Sequence, residues 1–123
     1  MNPITLLLVD DDEEIREPLA DHLKRLGCTV VEAKDGKDGL VKFKSGKFDL
    51  VITDNDMPNM CGFELIKAIK EICNVPIAMI TGGMTTKEIA LEGGADEFFA
   101  KPFHLGELEL FILQAEVKQH FAS

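Results

Sequence analysis

Ile4-Thr5-Leu6-Leu7-Leu8-Val9-Asp10-Asp11-Asp12 runs apolar from its first residue and stops abruptly on three carboxylates. It is short and apolar on both alternating faces, which reads as a strand buried from both sides. Four more runs rich in Val, Ile, Leu and Phe follow, at residues 29–33, 49–53, 76–80 and 97–100. Between them apolar residues recur at helical spacing: Ile15, Leu19, Leu23 and Leu26, then Leu40 and Phe43, then Ile66, Ile69 and Cys73. Gly27, Gly46 and the Gly93-Gly94 pair stand where the helical patterns stop, which predicts helices closed in the left-handed conformation. Pro18 interrupts the first pattern and predicts a late start or a kink, because inside a helix it costs about 3 kcal/mol.

Strands alternating with helices imply right-handed crossovers and a parallel sheet covered on both faces. The expected fold class is therefore α/β in three layers, with five strand-helix units doubly wound about one sheet. Residues 1–123 are expected to form a single domain, with no internal repeat, low-complexity tract or linker. The chain then reads as a free-standing domain or as a segment trimmed from a longer one. Its 22 acidic residues against 13 basic ones give a net charge of -9, and no basic block occurs. Direct binding to nucleic acid or to an anionic membrane is not expected, since either needs a basic face. No basic leader or long apolar run suggests a signal peptide or a membrane span, so a cytoplasmic location is expected. Cys28, Cys61 and Cys73 form no C-x-x-C pair and read as reduced thiols.

In an open parallel sheet, functional groups gather beyond the carboxyl ends of the strands. Those ends carry Asp10, Asp11 and Asp12, then Asp54, then Thr81, then Lys101 followed by Pro102. Carboxylates with a hydroxyl and an ammonium suit a hard divalent cation beside a phosphoryl group, because Mg2+ takes oxygen ligands and shares them with phosphate. For Asp12 helix capping is the preferred reading, and a turn hydroxyl is the commoner fate of a lone strand-end Thr. Capping does not explain why Asp54 and Lys101 end other strands as well.

Together these pieces resemble a response-regulator receiver domain of two-component signalling, the family that includes the single-domain chemotaxis regulators. The resemblance runs nearly end to end, through Leu7-Leu8-Val9-Asp10-Asp11-Asp12, Asp49 to Met60 with Gly62, Ile80-Thr81-Gly82, Gly94-Ala95-Asp96 and Lys101-Pro102-Phe103. It implies a flavodoxin-like sheet in the order 2-1-3-4-5. It implies that Asp54 takes a phosphoryl group from the phosphohistidine of a sensor histidine kinase or a histidine phosphotransfer protein. Mg2+ would be held by Asp11, Asp54 and the backbone carbonyl of Asp56, with Asp10 acting through water. Lys101 would stabilise the transferring group, Thr81 would move to it, and Phe98 would turn inward as the switch aromatic. The domain would promote its own phosphorylation and dephosphorylation without being a turnover enzyme. A cis bond before Pro102 is implied in the same way. An ordinary core ring is the plain alternative for Phe98.

Two departures from the family pattern stand out. The stretch from Thr81 to Lys101 is short, which predicts a fourth helix of about two turns at residues 87–92, and Cys61 stands where an Asp is common. On the fifth helix Leu108, Phe111, Ile112 and Ala115 form a sheet-facing stripe, while Leu110, Leu113 and Val117 fall nearly opposite. That outer set suits a second subunit or an output partner, or else it is scattered surface apolar residues. Asp56, two residues past the acceptor, bears on the path of attacking water. Asp54-Asn55-Asp56 also fits the D-x-D nucleophile of haloacid-dehalogenase-like phosphatases, but that family opens with this motif, whereas here Asp10-Asp11 comes first. A flavodoxin-like flavin carrier is disfavoured because Asp10 to Glu14 would repel the flavin phosphate.

Overall fold

The computed structural model describes residues 3–122, with side chains described for residues 3–118. Strands and helices alternate throughout: β1 (Thr5–Val9), α1 (Glu13–Arg25), β2 (Thr29–Ala33), α2 (Gly36–Lys44), β3 (Leu50–Thr53), α3 (Gly62–Ile72), β4 (Ile77–Thr81), α4 (Lys87–Glu92), β5 (Glu97–Ala100) and α5 (Leu105–Ala122). All strand pairings are parallel, in the order β2-β1-β3-β4-β5. Thr81 closes β4 as its last residue, one step beyond the apolar run.

The strand pleat sorts the core into two halves. Leu6, Leu8, Leu50, Ile52, Ala78 and Ile80 meet Ala20, Leu23, Leu108 and Ile112 of α1 and α5. Leu7, Val9, Val51, Ile77 and Met79 point the other way and meet Phe43, Leu65, Ile66, Ile69 and Ala90 of α2, α3 and α4. Residues i and i+2 of a strand share a face, so each inner strand serves both halves and must be apolar throughout. Each fully buried Leu or Ile on these strands contributes about 1.5–3 kcal/mol of hydrophobic stabilisation. β2 departs from that rule: it is half-buried and carries Glu32, because at the edge it has a neighbour on one side alone.

Pro18 brings no late start. α1 begins at Glu13, directly after Asp12, whose side chain accepts the Glu14 amide at 3.0 Å. A carboxylate cap and acidic Glu13 and Glu14 favour the helix entrance, and Ala20 and Leu23 fasten the next turns into the core. Of the glycines expected in the left-handed region, Gly27 (φ 96°) and Gly94 (φ 103°) adopt it. Gly93 does not, with φ at -79°, and α2 closes through a right-handed Ser45 before Gly46 is reached. Gly93 is small for another reason, since the Phe63 ring occupies the space a Cβ would need.

α4 has six residues and the Lys101-Pro102 bond is cis, both as expected. On α5, Leu108, Phe111, Ile112 and Ala115 are buried, whereas Leu110, Leu113 and Val117 are 55%, 51% and 45% exposed. The helix reaches Ala122, and the final Ser123 lies outside the described residues. All three cysteines are free thiols. Among the described residues no helix is long and apolar enough to cross a membrane.

Candidate functional site

The chain passes from β1 outward to β2, then returns to add β3, β4 and β5 on the other side of β1. β1 and β3 are therefore adjacent while their following connections diverge, which opens a crevice at their carboxyl ends. Register does the rest. Val9 pairs with Thr53, so Asp10 and Asp54 leave the sheet side by side, and the Asp54 amide donates to the Val9 carbonyl at 2.9 Å. Thr81 pairs with Ala100, which brings Lys101 to the same edge.

Carboxylate oxygens of Asp10, Asp11 and Asp54 lie within 4.8 Å of one another. Asp10 is 6% and Asp54 8% exposed, while Asp11 opens to solvent. The Lys101 ammonium bridges the buried pair, at 3.2 Å from Asp10 Oδ2 and 3.4 Å from Asp54 Oδ2. The remaining oxygens are held by backbone, the Asp12 amide donating to Asp10 Oδ1 at 3.0 Å and the Asn55 amide to Asp54 Oδ1 at 2.7 Å. Burial pushes the Asp10 carboxyl up, and the Asp54 carboxylate adds to that, against the pull of the Asp12 amide and Lys101. For Lys101 burial acts downward, but Asp10 and Asp54 outweigh it and hold the ammonium above its ordinary value. One ammonium facing several carboxylates leaves a net negative, all-oxygen donor set, the chemistry that fits a hard divalent cation.

Gly62 explains how α3 begins so close to this edge. A Cβ there would strike the Asp54 carbonyl oxygen and come 2.9 Å from Asn55 Cα, so only glycine lets the first turn of α3 pack on the end of β3. The Gly62 amide donates to the Asn55 carbonyl at 3.0 Å and secures that approach.

The other expected residues take different positions. Thr81 is buried at the end of β4, its hydroxyl donating to the Gly82 carbonyl at 3.3 Å. Asp56 is exposed on the loop between β3 and α3, and its side chain is not part of the close carboxylate group; a Cβ at Gly83 would lie 3.9 Å from its Oδ2. Phe98, opposite Met79 in the sheet, is half-buried against the α3 side of the core. Asp12 caps α1 and takes no part in the carboxylate group.

Sequence reasoning passed over Arg16, whose Nη1 donates to the Asp10 carbonyl at 2.8 Å while its Nε pairs with Glu32 at 3.1 Å. It also passed over Asp35, a buried carboxylate joined to Asn59 of the β3–α3 loop at 3.0 Å. For Arg16 a position one turn into α1 offered no signal, because the partner lies on β2. For Asp35 there was one: Asp before Gly36 with Asp38 three residues on marks a helix cap.

Residues 6–112 match the family described as response regulator receiver domain. The chain is 38% identical over 104 residues to the uncharacterized transcriptional regulatory protein YcbL of Bacillus subtilis, covering 83% of this chain and 46% of that protein. It is 31% identical over 119 residues to the heme response regulator HssR of Staphylococcus haemolyticus, covering 95% of this chain and 53% of that one. The chain thus spans about half the length of these curated relatives. Among solved structures, a response regulator receiver domain protein from Clostridium thermocellum superposes with a TM-score of 0.89 at 26% identity, covering 98% of this chain and 99% of that one. Chemotaxis protein CheY4 of Vibrio cholerae gives 0.82 at 31% identity, covering 92% and 98%. With a sheet in the order 2-1-3-4-5, an acidic crevice at its switch point and a family match over most of its length, the chain belongs to the response regulator receiver domains of two-component signalling.

Proposed function

We propose that residues 1–123 act as one receiver that accepts a phosphoryl group on Asp54 from the phosphohistidine of a sensor histidine kinase or a histidine phosphotransfer protein in the cytoplasm. The supporting observation is the meeting of Asp10, Asp11 and Asp54 with Lys101 at the switch point of the sheet. An Asp54 oxygen attacks phosphorus, the P–N bond to the donor imidazole breaks, and its electron pair departs on the imidazole nitrogen. Lys101 lies where it can stabilise charge on the phosphoryl oxygens as the group transfers. Asp11, Asp54 and the Asp56 backbone carbonyl would hold Mg2+, with Asp10 acting through water. When bound, the ion would supply charge neutralisation at the transferring group.

The phosphoryl group brings about -1.5 to -2 charge into the crevice. Thr81 exchanges its bond to the Gly82 carbonyl for one to a phosphoryl oxygen, and Phe98 swings inward to fill the space vacated. The outer face of α5, at Leu110, Leu113 and Val117, then meets a second subunit or an output partner. Hydrolysis returns Asp54 to its carboxylate, so the chain works as a timed switch and not as an enzyme with a free substrate. Its net charge of -9 supports protein partners over direct nucleic-acid contact.

The test is incubation with acetyl phosphate with and without Mg2+, followed by intact mass. The parent should gain one phosphoryl group in the presence of Mg2+ alone, and Asp54→Ala should gain none. An unmodified parent under conditions that label another receiver, or sustained hydrolysis of a small phosphomonoester, would contradict the proposal.

A further inference from the structure

Asp35 plays no part in the chemistry above, yet it is 6% exposed and its two oxygens serve two different elements. Oδ1 accepts the Asp38 amide at 2.8 Å and caps α2. Oδ2 accepts Asn59 Nδ2 at 3.0 Å, across to the β3–α3 loop, three residues past Asp56. Asn59 is the non-glycine residue with a positive φ, 70°, among the described residues. Its neighbour Met60 packs so tightly on Gly36 that a Cβ at Gly36 would strike the Met60 carbonyl oxygen. Two consecutive loop residues are thus fixed to two consecutive residues at the start of α2, one by an amide–carboxylate hydrogen bond and one by backbone contact.

The near end of the loop is fixed separately. The Gly62 amide donates to the Asn55 carbonyl at 3.0 Å, and the Phe63 amide to Asn55 Oδ1 at 3.3 Å. Asp56 lies between these two anchorages. The Asp38 amide holds the Asp35 carboxyl below its ordinary value against the effect of burial, and the Asn59 amide adds to it. Asp35 is therefore an anion across the neutral range, and a hydrogen bond to an ionised acceptor is about twice as strong as a neutral one.

We infer that Asn59, acting through Asp35, is a positioning residue for the cation site: it fixes the loop that carries Asp56, so that the turn between β2 and α2 sets Mg2+ affinity without touching the ion. The inference rests on the Mg2+-dependent reading of the crevice. Outer partners of metal ligands typically govern affinity by about 10–100-fold, and the lower end suits a tie to a ligand loop.

Asn59→Gly removes the amide while keeping a residue at ease with φ of 70°. Asp35 still caps α2, so the melting curve followed by far-UV circular dichroism should stay close to that of the parent. Titration calorimetry with MgCl2 should show a dissociation constant raised by about tenfold. Gly36→Ala, which presses on Met60, should weaken Mg2+ as well and lower stability; if it fails to fold, Asn59→Gly still decides. A parent that binds no Mg2+ would overturn the crevice reading itself. A parent that binds Mg2+, with Asn59→Gly matching it or losing only thermal stability, would overturn this inference alone.

Discussion

Lys101 faces two buried carboxylates, and the balance of forces on it can be read in both directions. Its ammonium neutralises part of the Asp10 and Asp54 charge, yet it also competes for the oxygens a divalent cation would use. Lys101→Met should therefore bind Mg2+ at least as tightly as the parent by calorimetry. Phosphorylation by acetyl phosphate should nonetheless slow by about 10²-fold, the usual loss when a preorganised donor to a developing oxyanion is removed. The pH dependence has a fixed sign. The folded-state value of Lys101 lies above its ordinary 10.5, so the stabilisation from its pairing is intact below that value and lost as pH rises through the folded one. Parent stability in urea should fall more steeply than that of Lys101→Met on the alkaline side; parallel profiles would contradict the assignment. Asp56, exposed beside Gly83, calls for a different readout. Asp56→Asn should change the decay rate of the phosphorylated chain, measured by intact mass over time, and identical decay would remove it from the path of water.

At the scale of elements, the close approach of α3 to the end of β3 depends on Gly62. Gly62→Ala should cost roughly 1–3 kcal/mol in urea unfolding, typical of an overpacked core, because the new methyl meets the backbone of Asp54 and Asn55 and not a flexible side chain. An unchanged midpoint would show that α3 can retreat without cost. The contrast explains what was legible in the sequence. Two-sided burial writes itself into Leu6 to Val9 and Leu50 to Thr53, so the inner strands, the five-unit alternation and the polar residues ending four of the strands could all be read directly. The late start expected from Pro18 does not occur because propensity is a local argument, while α1 is held by the Asp12 cap and by Ala20 and Leu23 in the core. Gly46 and Gly93 misled because a glycine near a helix end can answer to packing, here against the rings of Phe48 and Phe63. Arg16 and the tie from Asp35 to Asn59 stayed hidden because their partners, Glu32 and Asn59, are distant in the chain and adjacent only once the sheet has formed, although the cap at Asp35 was legible.

For the whole molecule, two core halves on one parallel sheet bring residues from three separate strand ends to a single crevice, and neither half does this alone. Asp10 and Asp11 follow β1, Asp54 follows β3, and Lys101 follows β5, so an intact sheet is the condition for the site. Thr81 and Phe98 lie on the adjoining strands β4 and β5, with Phe98 packed in the core half of α2, α3 and α4. The most direct measurement is the location of the phosphoryl group. After acetyl phosphate and Mg2+, borohydride reduction converts an aspartyl phosphate to homoserine, and peptide mass spectrometry then reads which residue has changed. The account predicts conversion at Asp54 and at no other aspartate, dependent on Mg2+. Conversion at Asp10, Asp11 or Asp56 instead, or a phosphoryl group that resists reduction because it sits on a hydroxyl or an imidazole, would contradict it.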